Sequence, residues 1–127
     1  MNNQQLQILL VEDEPLVREL MKDVLTDLGN AVIECDRADA GLACLEFNAD
    51  HVDLLVTDIL TPGSLNGHQL AQIASIRWPR LKVLITSGYA DASTHHLPPN
   101  STFVAKPWSY QQLEEAVREL MQQRRSY

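Results

Sequence analysis

Two apolar stretches of the sequence, each long enough for a β-strand, end abruptly in acidic side chains. Residues 8–11 lead into Glu12 and Asp13, and residues 54–57 lead into Asp58. An uninterrupted apolar run is typical of a strand that is covered on both faces of a parallel sheet, and such sheets bind ligands at the carboxyl ends of their strands. We therefore expect the three carboxylates to meet at one edge of a sheet.

A group of three carboxylates is unfavourable unless a cation lies among them. Oxygen ligands favour Mg²⁺ or Mn²⁺ over softer metals, and a protein-bound Mg²⁺ usually keeps positions open for phosphate oxygens. The pattern therefore indicates metal-assisted phosphoryl transfer. The structural alternative is that Asp58 only caps the turn that follows it, and that Glu12 and Asp13 only complement the amino end of the next helix.

Two further polar side chains follow predicted strands in the same way. Ser87 ends the apolar run that begins at residue 83, and Lys106 follows the run at residues 102–105. If the strands are parallel, both side chains lie at the edge that carries the acids. Taken alone, each has a simpler explanation, because Ser87 can bond a neighbouring backbone group and a lysine beside Pro107 can be an ordinary loop residue.

The composition is that of one acidic domain, and we expect residues 1–127 to form a single domain. The 17 Asp and Glu residues outnumber the 10 Lys and Arg residues, and the formal net charge of −7 argues against a nucleic acid or an anionic membrane as partner. Residues 1–5 lack signal-peptide character and no apolar run approaches the length of a membrane span, so we expect a cytoplasmic protein. Cys35 and Cys44 lack a metal-binding spacing and are expected to be small buried hydrophobes.

Hydrophobic periodicity predicts five strands that alternate with five helices. The strands are expected at residues 8–11, 31–33, 54–58, 83–87 and 102–105. The helices are expected between Pro15 and Gly29, at residues 39–47 and 69–77, in a short or irregular element between Asp91 and Leu97, and after Ser109, which stands at capping-box spacing from Gln112. This alternation predicts a doubly wound α/β fold with a parallel sheet.

Four segments, in their order along the chain, resemble the receiver domain of bacterial two-component response regulators, including the single-domain chemotaxis-type regulators. They are residues 11–15 (VEDEP), residues 58–62 (DILTP) followed by Gly67, residues 86–90 (TSGYA) and residues 106–108 (KPW). The resemblance covers essentially the whole chain. It implies a flavodoxin-like doubly wound five-stranded sheet in the order 2-1-3-4-5, here with a short or irregular fourth helix.

The resemblance also implies roles for the acidic residues. Asp58 is expected to be the nucleophile that takes a phosphoryl group from a histidine kinase or a histidine phosphotransfer protein, forming an acyl phosphate. Glu12, Asp13 and Asp58 are expected to bind Mg²⁺, or alternatively Mn²⁺, together with the backbone carbonyl of Leu60. The domain is then a signalling module that catalyses only its own phosphorylation and dephosphorylation.

Other residues of the resemblance are expected to respond to the phosphoryl group. Lys106 is expected to pair with one phosphoryl oxygen and Ser87, which replaces the commoner Thr, to donate its hydroxyl to another. Phe103 holds the place of the family's switch aromatic. Because Phe has no hydroxyl to satisfy outside the core, we expect its ring to stay inward more of the time and to favour the active-like state. The peptide bond between Lys106 and Pro107 is expected to be cis.

Three features depart from the simplest members of the family. The loop between Asp58 and Gly67 is about two residues longer than the shortest version and is similar to those of receivers in hybrid sensor kinases. The family often signals through the face formed by the fourth helix, the fifth strand and the fifth helix, and the weak fourth helix argues against output through that face here. His95 and His96 lie in the same segment and are expected to be exposed loop residues. Trp108 contacts either a partner or the last helix.

The expected partners are the phosphoryl donor and a downstream protein or covalently attached domains, without nucleic acid or membrane binding. The end of the chain just after the last predicted helix fits both a free-standing receiver and a receiver within a longer protein. One alternative is a haloacid-dehalogenase-like phosphatase, but that family needs a second acid where this chain has Leu60. A flavodoxin-type cofactor site lacks its phosphate-binding loop here, and a pseudo-receiver that acts only in docking is the remaining alternative.

Overall fold

The computed structural model describes residues 5–88 and 97–122. The strands are β1 (Gln7–Val11), β2 (Ala31–Cys35), β3 (Leu54–Asp58), β4 (Lys82–Ser87) and β5 (Ser101–Ala105). The helices are α1 (Pro15–Asp27), α2 (Ala38–Asn48), α3 (Gly67–Arg77) and α4 (Tyr110–Gln122), with a short 3-10 helix at Ala49–His51. The strands form one parallel sheet in the order β2-β1-β3-β4-β5, which confirms the predicted doubly wound fold and its strand order.

The number of helices differs from the sequence prediction. Five helices were expected, and the described ranges contain four α-helices. The short or irregular element predicted between Asp91 and Leu97 falls almost entirely on residues 91–96, which lie outside the described residues, as do His95 and His96.

Local sequence signals explain where the helices begin and end. Pro15 opens α1, where its missing N–H is not needed, and Gly29 follows the helix with a φ of +98°, a conformation that glycine adopts without strain. Before α4, the Ser109 N–H donates to the Gln112 side chain at 2.8 Å while the Gln112 N–H donates to the Ser109 hydroxyl at 3.1 Å, so the predicted capping box is confirmed. No helix in the described ranges is long and apolar enough to cross a membrane.

The sheet separates two apolar cores because successive side chains of a strand point to opposite faces. In β1, Leu9 and Val11 face the core that is completed by α2 and α3, whereas Ile8 and Leu10 face the core that is completed by α1 and α4. All four side chains are fully buried, and burying a side chain of this size stabilises the fold by roughly 1.5–3 kcal/mol. Trp108 packs partly buried against the second of these cores.

The start of α3 lies unusually close to the end of β3. A Cβ atom on Gly67 would lie 1.5 Å from the Asp58 carbonyl oxygen and 2.7 Å from the Thr57 hydroxyl, so only glycine fits there. The Gly67 N–H also donates to the Ile59 carbonyl at 2.8 Å. These contacts close the loop between β3 and α3 directly beside the predicted phosphoacceptor.

We expect Gly67→Ala to destabilise the domain by about 3 kcal/mol, because the added methyl group forces the backbone of β3 and α3 apart. Gly88→Ala is the matched control, since its added Cβ would come no nearer than 4.0 Å to the Lys106 side chain. Equilibrium unfolding in urea measures both. Equal stability of the two variants would contradict the close approach.

Candidate functional site

The structure brings the three predicted carboxylates together at the carboxyl edge of the sheet. Glu12 and Asp13 follow β1 directly, and Asp58 ends the neighbouring strand β3. Carboxylate oxygens of the three side chains all lie within 4.8 Å of one another. The parallel register produces this meeting, because it places Val11 opposite Thr57 and so ends both strands at the same level.

Lys106 lies between two of these acids. Its Nζ is 2.9 Å from Asp58 Oδ2 and 3.1 Å from Glu12 Oε1, so a single ammonium group pairs with both carboxylates. The Lys106 N–H donates to the Ser87 carbonyl at 2.8 Å, which holds the segment after β5 against the end of β4. The peptide bond to Pro107 is cis, as expected.

The environment of this cluster acts on its charges in opposite directions. Burial raises the pKa of Glu12 above its ordinary value, although the Glu14 N–H, at 3.1 Å, and Lys106 oppose that shift by hydrogen bonding. Burial alone would lower the pKa of Lys106, but its hydrogen bonds to Asp58 and Glu12 outweigh burial and raise that pKa. Lys106 therefore remains an ammonium at neutral pH and supplies a fixed positive charge.

Asp58 is almost fully buried at the edge of the sheet. The residue is 8% exposed, and its Oδ1 lies 3.4 Å from the N–H of Leu60, a weak contact across the first turn of the loop. The Thr57 hydroxyl donates to the Asp58 carbonyl at 3.0 Å. Leu60, two residues further along the chain, is 54% exposed.

Ser87 and Phe103 also lie where the sequence led us to expect them. Ser87 is buried at the carboxyl end of β4, opposite Ala105 of β5, and so belongs to the same edge of the sheet as Asp58. Phe103 precedes Ala105 by two residues in β5. Its ring is half-buried and packs against the core formed with α2 and α3. The structure therefore places Ser87 at the edge of the sheet and Phe103 against one of the two cores.

Two side chains that hold the site in place were missed in the sequence. Arg18 of α1 donates through Nη1 to the Glu12 carbonyl at 2.9 Å and pairs with Glu34 of β2 at 3.4 Å. Arg18 could have been found in the sequence, because it is a positively charged residue on the helix that directly follows the acidic turn. Asp39 of α2 binds the loop after β3, and no local pattern marks that contact because the loop lies 25 residues further along the chain.

The donor set fits a small divalent cation. All three side chains of the cluster are carboxylates, and no other group of three or more potential metal-binding side chains lies close enough together in residues 5–88 and 97–122. An all-oxygen set with few protein ligands is what Mg²⁺ and Mn²⁺ prefer. The edge of the sheet can therefore hold such a cation beside the carboxylate of Asp58.

Comparison with known proteins gives the family. The family model for the response regulator receiver domain matches residues 8–118. The chain therefore belongs to the response regulator receiver domains, which are signalling modules of two-component systems and not classical enzymes. The resemblance seen in the sequence is confirmed. Receiver domains bind Mg²⁺ at an acidic pocket, and Glu12, Asp13 and Asp58 form an acidic group in this chain.

The relatives of this chain include a sensor kinase and response regulators. The chain is 33% identical over 118 residues to the sensor kinase CckA of Brucella abortus; this match covers 91% of the chain but only 12% of CckA. A response regulator receiver protein from Sinorhizobium medicae has a similar structure, with a TM-score of 0.86, 28% identity and coverage of 97% of this chain and 99% of that one. The response regulator TrrA of Thermotoga maritima, solved in complex with Mg²⁺ and BeF, has a TM-score of 0.81 and 26% identity, with coverage of 91% and 99%.

We expect Mg²⁺ to stabilise the folded domain, because a ligand that binds only the folded state shifts the unfolding equilibrium. At ten times its dissociation constant, the cation adds about 1.4 kcal/mol to the free energy of unfolding. Asp13→Asn removes one negative charge from the acidic cluster and should abolish most of this gain, whereas Asp50→Asn, at an exposed position on the 3-10 helix, should retain it. Thermal unfolding with Mg²⁺ and with a chelator measures the effect. A stabilisation that survives Asp13→Asn would place the cation elsewhere.

Proposed function

We propose that this chain is a phospho-accepting receiver module of a two-component phosphorelay, in which Asp58 takes the phosphoryl group. The observation that carries the proposal is the placement of the Asp58 carboxylate within one acidic cluster and 2.9 Å from the Lys106 ammonium. A nucleophilic carboxylate, a site for a divalent cation and a fixed positive charge are the parts that phosphoryl transfer needs. We further propose that residues 1–127 act as one such module.

The chemistry at Asp58 follows from its position. A carboxylate oxygen of Asp58 attacks the phosphorus atom of a phosphohistidine, the new O–P bond forms as the P–N bond breaks, and the imidazole leaves. Lys106, already bonded to Asp58, pairs with a phosphoryl oxygen as negative charge arrives. Attack of water on the resulting acyl phosphate releases inorganic phosphate and restores Asp58, so the module returns to its starting state.

Mg²⁺, or Mn²⁺ in its place, is proposed to bind to Glu12, Asp13, Asp58 and the backbone carbonyl of Leu60. When bound, the cation offsets the negative charge that the phosphoryl oxygens bring to the acidic cluster. Glu12 and Asp13 orient it from the end of β1, and the loop after β3 contributes the carbonyl. TrrA, a structural neighbour, was solved in complex with Mg²⁺ and BeF, which supports a Mg²⁺ site in a domain of this fold.

The proposed phosphoryl donor is a histidine kinase or a histidine phosphotransfer protein. The similarity to the sensor kinase CckA supports a donor of this class. On the surface of α1, which begins directly after the acidic turn, Leu16 is 86% exposed and Leu20 is 55% exposed. Exposed leucines one helical turn apart offer an apolar contact for a partner beside the site. The output is proposed to pass to a downstream protein or to attached domains.

Ser87 and Phe103 are proposed to convert the phosphoryl group into a conformational signal. Ser87 is buried at the same edge of the sheet, where its hydroxyl can donate to a phosphoryl oxygen once one is present. The Phe103 ring packs against the core of α2 and α3 in the structure. Because it has no hydroxyl, the ring needs no polar partner and is proposed to stay inward more of the time, favouring the active-like form.

The first test is intact-mass measurement after incubation with Mg²⁺ and a small acyl-phosphate donor. The wild-type chain should gain one phosphoryl group, because the acidic edge assembles the transfer site without a kinase. Asp58→Asn should abolish the adduct because the amide is not a nucleophile, and a chelator should abolish it as well. Asp50→Asn should react like the wild type.

The same measurement distinguishes the alternatives. No adduct with the small donor, and none with a panel of histidine kinases, would overturn the proposal in favour of a docking-only pseudo-receiver. Catalytic release of phosphate from unrelated phosphate esters, lost in Asp58→Asn, would favour a phosphatase.

The position of Phe103 can be tested by incorporation of 4-fluorophenylalanine, since the chain contains only two Phe residues. Phe47, which is 87% exposed, provides the internal control. We expect the fluorine resonance of Phe103 to show a small H₂O-to-D₂O solvent shift both with and without Mg²⁺ and beryllofluoride, and that of Phe47 to show a large one. A large solvent shift for Phe103 in the free protein would contradict the inward ring.

A further inference from the structure

Asp39, in the first turn of α2, binds the loop that connects β3 to α3. Its Oδ1 accepts a hydrogen bond from the Leu65 N–H at 2.9 Å, and its Oδ2 accepts one from the Ser64 N–H at 3.2 Å. One carboxylate thus engages two successive backbone donors of a segment that has no regular structure. Charge-assisted hydrogen bonds of this kind are stronger than those between neutral groups.

Hydrogen bonds within the loop between β3 and α3 join its two ends. The Gly67 N–H donates to the Ile59 carbonyl at 2.8 Å, and inside that ring the Thr61 hydroxyl donates to the Leu65 carbonyl at 3.3 Å. Leu60 lies between the two residues that make these bonds, Ile59 and Thr61. A restraint on Leu65 is therefore passed to the backbone of Leu60 through one side-chain hydrogen bond and a few covalent bonds.

Helix α2 is itself held closely against the strand that precedes the acidic turn. A Cβ on Gly41 would lie 2.8 Å from Val11 Cγ2 and 3.3 Å from Leu70 Cδ2, so the helix packs on β1 and α3 at van der Waals distance. Val11 is the residue directly before Glu12. The first turns of α2 thus contact both segments that carry the proposed cation ligands, through Gly41 on one side and Asp39 on the other.

We propose that Asp39 is a positioning residue for the divalent cation. By holding the loop, it keeps the Leu60 carbonyl in a fixed place relative to Glu12 and Asp13, so that the oxygen ligands are arranged before the cation arrives. The inference rests on the proposed function, because it requires Leu60 to contribute a ligand. An acid in the first turn of a helix also stabilises that helix through its dipole, but this effect does not act on the loop.

The experiment compares the affinity for Mn²⁺, measured from the electron paramagnetic resonance signal of the free ion, among four proteins. Asp39→Ala should weaken binding about tenfold, as does the loss of other groups that orient metal ligands. Asp39→Asn should weaken it less, because its amide oxygen still accepts one of the two hydrogen bonds. Glu46→Gln is the matched control, since Glu46 is also on α2 and pairs with Arg77 of α3 at 2.9 Å.

Two further measurements separate positioning from a general structural effect. Amide hydrogen exchange should accelerate at Ser64 and Leu65 in Asp39→Ala and remain unchanged in Glu46→Gln. The Mg²⁺ concentration that gives half the maximal rate of phosphorylation by a small acyl-phosphate donor should rise in Asp39→Ala, while the rate at saturating Mg²⁺ stays near that of the wild type. The reacting carboxylate of Asp58 is intact in every variant.

The outcomes distinguish this inference from the function on which it rests. Faster exchange at Ser64 and Leu65 with wild-type Mn²⁺ affinity would overturn the role of Asp39 and leave the phosphoacceptor function standing. Equal weakening of Mn²⁺ binding in Asp39→Ala and Glu46→Gln would also overturn it, because the cause would then be the packing of α2. A wild-type chain that neither binds Mn²⁺ nor accepts a phosphoryl group would overturn both.

Discussion

The pairing of Lys106 with two buried acids is the interaction on which the functional edge of this domain depends. Glu12 is only 1% exposed and Asp58 only 8%, so neither charge is well solvated and their mutual repulsion is weakly screened. A single ammonium group within 3.1 Å of both carboxylates offsets that repulsion. Removal of one partner from such a group leaves an uncompensated buried charge, which typically destabilises a protein by about 3–5 kcal/mol. The same arrangement leaves Asp13 at the rim, where a divalent cation can complete the neutralisation.

The fold permits this concentration of charge because the sheet is rigid. Apolar side chains fill both faces of β1, β3 and β4, and the parallel register ends those strands at one level. The acids are therefore held close together by two cores and not by their own interactions. Backbone contacts at Gly67 and Gly41 leave little room for the surrounding elements to shift. The loop after β3 has no regular structure, and Asp39 ties it to α2.

This division between a rigid edge and a tied loop suits a module that must react and then signal. The strand ends hold Asp58, the proposed nucleophile, and the charges around it in fixed positions, which lowers the reorganisation needed for the proposed transfer. Ser87 and Phe103 lie on β4 and β5, on the side of the sheet away from β2. In the proposed function, the signal from a phosphoryl group on Asp58 passes through these two strands and not through β1. The exposed leucines of α1 lie on the other side, so donor and output surfaces need not overlap.

Much of this could be predicted from the sequence. Apolar runs that end in Glu12, Asp58 or Lys106 encode buried strands and the edge to which they deliver side chains, and Pro15, Gly29 and the pair Ser109–Gln112 mark helix ends, because these signals act within a few residues. The sequence did not reveal that Lys106 bridges both acids, that Trp108 packs on the core, or that Asp39 holds the loop. Those contacts join residues up to 94 positions apart, and periodicity specifies the face on which a side chain lies but not its partner. The order of the strands decides the first of these contacts, and the packing of elements around the sheet decides the other two.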